Sequence, residues 1–333
     1  MGFLRKFSSL FGLILLCIAL SAVSPNFLTV ANFLSVLRQG AALFLVAIAM
    51  TYCIISGGID LSVGSIMALS GCVSALLMAS GVHWALACAA GLVVGVVLGW
   101  TTGYLVAQFK LQAFIVSLVV MVSARGLALV LTNGVPVFGF PEEFRFLGTG
   151  FLLGVPFPVI LGVVFFCLAN FILRRTRFGV NVYAVGGNLE AAHFSGISVD
   201  RTLWGVYTLS GLLSACAGIL MTSRLNSGQP ILGEGIELDA IAAVVIGGTA
   251  MSGGQGGLGG TVIGTLIIII LRNGLNLLAV SAFWQKVVIG LVILIAVLMD
   301  RFRHDIAALG RRRKPAAVSA IPAADGRGRV PAR

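Results

Sequence analysis

The chain has 333 residues, of which 59% are hydrophobic and 10% charged, with a formal net charge of +11. That balance excludes a soluble domain. The apolar stretches are continuous runs without period-two alternation, which excludes a membrane β-barrel. About 20 apolar residues cross a ~30 Å hydrocarbon layer, so ten helices use roughly 200 residues and leave room only for loops and a tail.

At the start, Arg5 and Lys6 precede an apolar run that lacks a small-x-small cleavage site before Pro25. It reads as a retained first helix and not as a cleaved signal peptide. Spans are expected at about 8–24, 40–56, 61–79, 84–107, 113–131, 156–173, 203–222, 239–251, 260–280 and 284–299. The 239–251 segment is too short to cross alone, which predicts a broken, tilted or re-entrant element. The fold class is therefore an all-α polytopic membrane protein of about ten helices. Its membrane domain covers 1–314, and a disordered basic tail covers 315–333. The tail is rich in Ala, Pro, Gly and Arg and can touch anionic lipid or simply be solvated.

Lys and Arg set the orientation. Arg5, Lys6, Lys110, Arg174, Arg175, Arg177, Arg201, Arg301, Arg303 and the 311–314 run fall on one side, against Arg38, Arg145 and Arg224 on the other. The richer side is cytoplasmic and holds both termini. Because the basic residues flank spans, no nucleic-acid role is expected despite the charge.

Two outer segments, about 132–155 and 223–238, offer docking surfaces or ordinary turns. The longest inner loop, about 174–201, carries a different signal. Asn188 can cap a short helix, Glu190 suits its first turn, and Ser195-Gly196 can end it. Such a helix would offer Leu189, Ala192, His193 and Phe194 to a partner, or lie at the interface as a linker.

Residues 58–71 read GIDLSVGSIMALSG and residues 235–248 read GIELDAIAAVVIGG. Five spans separate the copies, so they point in opposite directions, the pattern of an inverted repeat. Asp60 and Glu237 stand at equivalent helix starts, near the predicted interfaces, where a carboxylate accepts backbone N–H bonds. The membrane interior is nearly free of acids, which argues against proton-driven transport. Gly91, Gly95, Gly99 and Gly103 line one helix face for close packing, and Gly256, Gly260 and Gly264 repeat the spacing. Gly57-Gly58 and the 247–254 run interrupt apolar segments in each half, a pointer to a pathway. Candidate path or gate positions are Gly57, Gly58, Asp60, Ser62, Arg125, Asn133, Glu237, Asp239, Gly247, Gly248, Thr249, Asn273 and Asn276. Arg125 and Arg272 sit in or near apolar runs, where a charge is functional or snorkels to the interface.

Enzyme chemistry finds no support. There is no G-x-x-x-x-G-K-[ST] phosphate loop, and His83, His193 and His304 form no triad pattern. The six cysteines lie inside apolar runs without metal spacing and read as packing residues. No cofactor or metal is expected on this chain.

The stretches SPNFLTVANFL (24–34), SGGIDLSVGSIMALSG (56–71), LQAFIVSLVVM (111–121), RGLALVLTNGVPV (125–137), AVGGNLEAAHFSGI (184–197), ELDAIAAVVIGGTAMSGGQGG (237–257) and NGLNLLAV (273–280) carry a resemblance. Over most of its length the chain resembles the ribose/monosaccharide permease family of bacterial ABC importers. The resemblance implies a homodimeric, multi-pass permease of the bacterial cytoplasmic (inner) membrane. Two ATPase subunits, which bind ATP and Mg, would dock from the cytoplasm, and a periplasmic sugar-binding protein would deliver substrate. It further implies that Gly187, Asn188, Leu189, Glu190, Ala191, Ala192, His193, Phe194, Ser195 and Gly196 form the coupling helix that enters the ATPase. Two alternatives remain open on the residues alone. One is an ion-coupled secondary transporter, which needs intramembrane acids. The other is a passive facilitator, which needs no coupling loop.

Overall fold

The protein is described from a computed structural model covering residues 2–292, 294, 295 and 298, with side chains from Ser9 onward. Arg301, Arg303, His304, the 311–314 run and the tail lie outside the described residues, as does part of the span expected at 284–299.

The elements in order are α1 (Gly2–Val23), α2 (Val30–Ile55), α3 (Val63–Ala79), α4 (Trp84–Gln108), α5 (Ala113–Thr132), β1 (Val137–Phe138), α6 (Glu142–Thr149), β2 (Phe151–Leu152) and β3 (Val155–Pro156). They continue with α7 (Phe157–Arg175), α8 (Arg177–Gly187), α9 (Leu189–Phe194), α10 (Val199–Leu225), β4 (Ser227–Gly228), α11 (Ile236–Ile246) and α12 (Leu258–Leu277). A further apolar helix, α13, covers Ala282–Val292. Six of these, α2, α4, α5, α7, α10 and α12, are long and apolar enough to cross a membrane. The strands are two-residue pieces: β1 pairs antiparallel with β4, and β2 with β3.

Helix α10 is the central post, packed by α2, α3 and α4. The glycine face foreseen on α4 meets it. Gly95 and Gly99 lie against Gly211, and Gly103 lies against the backbone of Trp204. With no side chain on either helix the two backbones touch, the close approach that small residues permit where lipid is the solvent. The order of these contacts makes α4 antiparallel to α10. On another face Gly218 meets Met67 and Thr222 meets Gly71, so α3 runs parallel to α10. Small residues at every fourth position of α10, Ser210, Ser214, Gly218 and Thr222, are all buried.

Helices α2 and α12 are joined by polar pairs inside an apolar bundle. Asn32 and Asn273 exchange amide bonds of 3.0 and 2.8 Å, and the Thr51 and Thr261 hydroxyls lie 2.7 Å apart. Asn276 instead accepts from Gln285 of α13 at 2.8 Å, so the two asparagines serve different neighbours. Outward faces of α4, α5 and α7 expose Val93, Val97, Val119, Val122, Val163 and Phe171. An apolar surface that continuous requires lipid or another protein surface.

Several expected boundaries move. Helix α2 starts ten residues before the predicted 40, because Asn32, Ser35, Arg38 and Gln39 interrupt the apolar run without interrupting the helix. The helix is capped at Thr29, whose hydroxyl accepts from Asn32 N at 3.3 Å. The 239–251 segment is α11 at Ile236–Ile246, and 247–257 leaves the helix, as the glycines there predict. Gly256 belongs to this loop and not to the α12 packing face; Gly260 and Gly264 do pack on α11, against Gly247 and Ala243. These contacts make α11 and α12 antiparallel.

Candidate functional site

The starts of two helices, α3 and the short α11, meet inside the bundle. Helix α11, with 11 residues, is about 16 Å long, half a hydrocarbon layer. Its start abuts that of α3: a Cβ on Gly64 would meet the Gly233 carbonyl, and the Glu237 carboxylate lies within 3 Å of that position. The two helices lead away from this junction in opposite directions. Arg125 explains how the chain reaches it. Its Nη1 donates to the carbonyls of Pro230 at 2.7 Å and Leu232 at 2.8 Å. Arg125 lies twelve residues into α5, about 18 Å along it, so the 230–232 segment is tied to α5 short of its end, with Leu232 buried and Ile231 exposed. Arg125 thus acts as a clamp on backbone acceptors.

Asp60 precedes α3, in a turn whose Ile59 carbonyl accepts from the Ser117 hydroxyl, four residues into α5, at 3.3 Å. Its Oδ1 accepts from Ser62 N at 2.9 Å and from the Ser62 hydroxyl at 2.5 Å. Its Oδ2 accepts from the Ser210 hydroxyl at 2.7 Å. The carboxylate is fully buried. Ser210 is eleven residues past the start of α10, about 16 Å along it. Asp60 is therefore enclosed by protein and tied to the middle of α10, while its neighbour Ile59 stays close to the start of α5. The 58–62 turn follows the end of α2 directly and packs against Ala113 and Ser117 of α5 and Tyr207 of α10. Ser62, predicted as a path residue, closes this turn together with Asp60.

Asp239 is buried beneath α12 and ion-paired with Arg272, whose side chain is 46% exposed. Arg272 is therefore held by a carboxylate and does not merely snorkel. Replacing it with glutamine strands a buried charge. Because the arginine is half exposed, the expected cost is about 2 kcal/mol, below the range for a fully buried pair. Thermal unfolding in detergent should show a lower Tm for Arg272→Gln, with part of the loss restored in the Asp239→Asn/Arg272→Gln double variant. Equal melting of all forms would show the pair to be inert.

Other candidates fall elsewhere. Asn133 is the exposed left-handed cap that ends α5. Gly247 and Gly248 end α11, and Thr249 is buried beside Gly256. Gly57 ends α2 with a positive φ of 87°, a conformation glycine adopts without penalty. Gly58 packs against the Tyr207 hydroxyl. Sequence reasoning missed Ser210, Tyr207, Asn32 and Gly186. The signal for Ser210 was present as the every-fourth small-residue row on α10, complementary to the α4 glycines.

The short helix expected at 188–196 is present as α9. The Asn188 side chain accepts from Ala191 N at 2.8 Å, and Gly196 terminates the helix in a left-handed turn. Leu189, Glu190, His193 and Phe194 are exposed, Phe194 at 86%. Ala192 is not available to a partner: it is buried in the protein's own core, on the inner face of the helix, where Ile197 packs as the chain turns back. A groove of about 860 Å³ beside α9 is lined by Lys110, Glu190, His193, Phe194 and Asp200 among others. Among the described residues no cluster of His, Cys, Asp or Glu could hold a metal.

Comparison with known proteins adds the family. The ribose import permease protein of Bacillus subtilis strain 168 is 50% identical over 302 residues, 90% of this chain and 94% of that protein. The ribose import permease protein of Escherichia coli strain K12 is 47% identical over 304 residues, 90% of this chain and 94% of its own length. The D-allose transport system permease protein of the same organism is 38% identical over 301 residues, covering 90% and 92%. No solved structure matches the chain. The family described as branched-chain amino acid transport system / permease component matches residues 32–297. With that match over most of its length and these relatives matched nearly end to end, the chain belongs to this family of transport-system permease components.

Proposed function

We propose that this chain is the membrane-spanning permease subunit of a binding-protein-dependent ABC importer for a monosaccharide, with ribose or a related sugar as substrate. The observation that carries the reading is the 50% identity to a ribose import permease over 94% of that protein's length. The outer face of α9 supports it, since Leu189 and Phe194 are exposed apolar side chains that nothing among the described residues covers. The chain itself is a translocation subunit and not an enzyme; ATP and Mg act through a partner ATPase.

In this reading ten helices cross the bacterial inner membrane, with both termini cytoplasmic and a second copy completing the path. The junction of α3 and α11 is the meeting point of an inverted repeat. Helix α9 (with its flanks, 187–196) is the surface that docks in the ATPase, and the α6 end faces the sugar-binding protein. Closure of the ATPase dimer on ATP would favour one of two conformations, the binding protein the other, which is what alternating access requires. An ion-coupled mechanism is disfavoured because Asp60 and Asp239, the acids buried among the described residues, are both held by partners.

Deleting the gene and measuring uptake of labelled ribose, allose, arabinose and other monosaccharides by whole cells tests the proposal. Loss of uptake of one sugar, restored by the intact gene, is the expected result. Unchanged uptake across the panel would contradict it.

A further inference from the structure

Three segments far apart in sequence meet backbone to backbone beside α9. The end of α2 contributes the Ile55 carbonyl, which accepts from Gly254 N at 2.8 Å. The end of α8 contributes Gly186, where a Cβ would fall on that same carbonyl and come within 3 Å of Gly254 N. The glycine loop 247–257 contributes Gly253 and Gly254. A Cβ on Gly253 would come to 2.6 Å from the Gly186 carbonyl oxygen and 3.0 Å from Gly57 Cα. A Cβ on Gly254 would come to 2.6 Å from Gly187 Cα. No side chain separates these segments. One side-chain bond spans the joint: the Tyr183 hydroxyl donates to the Gly256 carbonyl at 3.0 Å.

The placement matters because of what each segment continues into. Gly186 is two residues from Asn188, the cap of α9. Gly57 leads directly into the 58–62 turn that holds Asp60. The 247–257 loop joins α11 to α12, and through Gly260 and Gly264 its neighbours pack backbone on backbone as well. Flexible side chains absorb small displacements, whereas backbones in contact pass them on. A shift of α9 therefore moves α8's end, and with it both glycine interruptions that the two halves of the chain place in their apolar runs.

We propose that Tyr183, Gly186 and Gly254 form the joint that transmits displacement of α9 to the ends of α2 and α11, with Tyr183 as a positioning residue for transport. This rests on the reading of α9 as the ATPase-docking helix. Tyr183 keeps the glycine loop in register with α8 while the segments move together.

The test uses the assembled importer in proteoliposomes, with its ATPase and binding protein, and measures ATP hydrolysis and sugar uptake in the same vesicles. Tyr183→Phe removes one hydroxyl and keeps the ring. Uptake is expected to fall about 5- to 10-fold, the range set by the net worth of one hydrogen bond. ATP hydrolysis is expected to stay within about twofold, so that ATP consumed per sugar rises in proportion. A purely structural role would reduce the amount of assembled complex and lower both rates together, and that result would overturn the proposal. Phe194→Ala, run alongside, separates the two readings. If it leaves the ATPase bound and uptake normal, the docking reading fails and the joint fails with it. If it uncouples uptake while Tyr183→Phe keeps the wild-type ratio of ATP to sugar, the joint alone is refuted.

Discussion

Replacing Phe194 with alanine should weaken ATPase attachment 10- to 100-fold and reduce ATP-driven uptake accordingly, while the permease stays folded in the membrane. The ring is 86% exposed at the tip of a helix that ends in a tight glycine turn. An aromatic so placed costs the isolated chain the hydration of its apolar surface and contributes nothing to its core. Burying it in a partner recovers about 2 kcal/mol, and single aromatic anchors commonly dominate an interface. Helix α9 has only six residues, so few other side chains can share that role. The measurement is retention of the ATPase on immobilised permease together with uptake. A second variant, Ala192→Leu, marks the contrast. Ala192 is buried in the permease itself, so added bulk there should lower the yield of folded protein before it touches docking. Undiminished ATPase retention by Phe194→Ala would remove α9 from the interface.

The second large effect lies at the centre of the bundle. Gly99→Leu should destabilise the fold by about 3 kcal/mol or more, and the protein should be lost from the membrane fraction. Gly99 faces the Tyr207 carbonyl and the backbone of Gly211, neither of which can rotate aside. Separating α4 from α10 to admit a side chain would also part Gly95 from Gly211 and Gly103 from Trp204, since all lie on one face. Val97→Leu on the same helix is the control. Val97 is 52% exposed on the outward face, where lipid accommodates an extra methylene. Expression and detergent melting of the two variants should therefore differ sharply. Similar stability would mean the glycine face is not the contact that holds the bundle.

The features legible in the sequence were those with local causes. Asn188, Glu190 and Gly196 announce α9 because a cap and a left-handed stop are made within a few residues. The α4 glycines announce a packing face because a period of four is a property of one helix. The break after Ile246 was legible because glycines end helices.

What stayed hidden depends on distant partners. Asn32 and Arg38 were left outside the span expected to begin at about 40. Asn32 is satisfied by Asn273, 241 positions away, and Arg38 stacks over Phe151 at 4.7 Å, so α2 continues through both. Asp60 looked like a cap at a helix start because only its chain neighbours were visible; its bond to Ser210, 150 positions away, and its full burial could not be read there. Arg125 looked like a lining charge because its acceptors are carbonyls, which leave no mark in a sequence. Ala192 looked available to a partner because helix periodicity over six residues cannot tell an inner face from an outer one. The meeting of Gly57 with Gly253 through Gly186 could not be read from any one of the three segments.

The central claim is that this chain moves a monosaccharide inward on energy supplied by a partner ATPase. Uptake of labelled ribose and related sugars into proteoliposomes holding the chain, its ATPase and its binding protein tests that most directly. The account predicts accumulation only when ATP, the ATPase and the binding protein are all present. Accumulation that follows an imposed ion gradient, or equilibration without ATP, would contradict it.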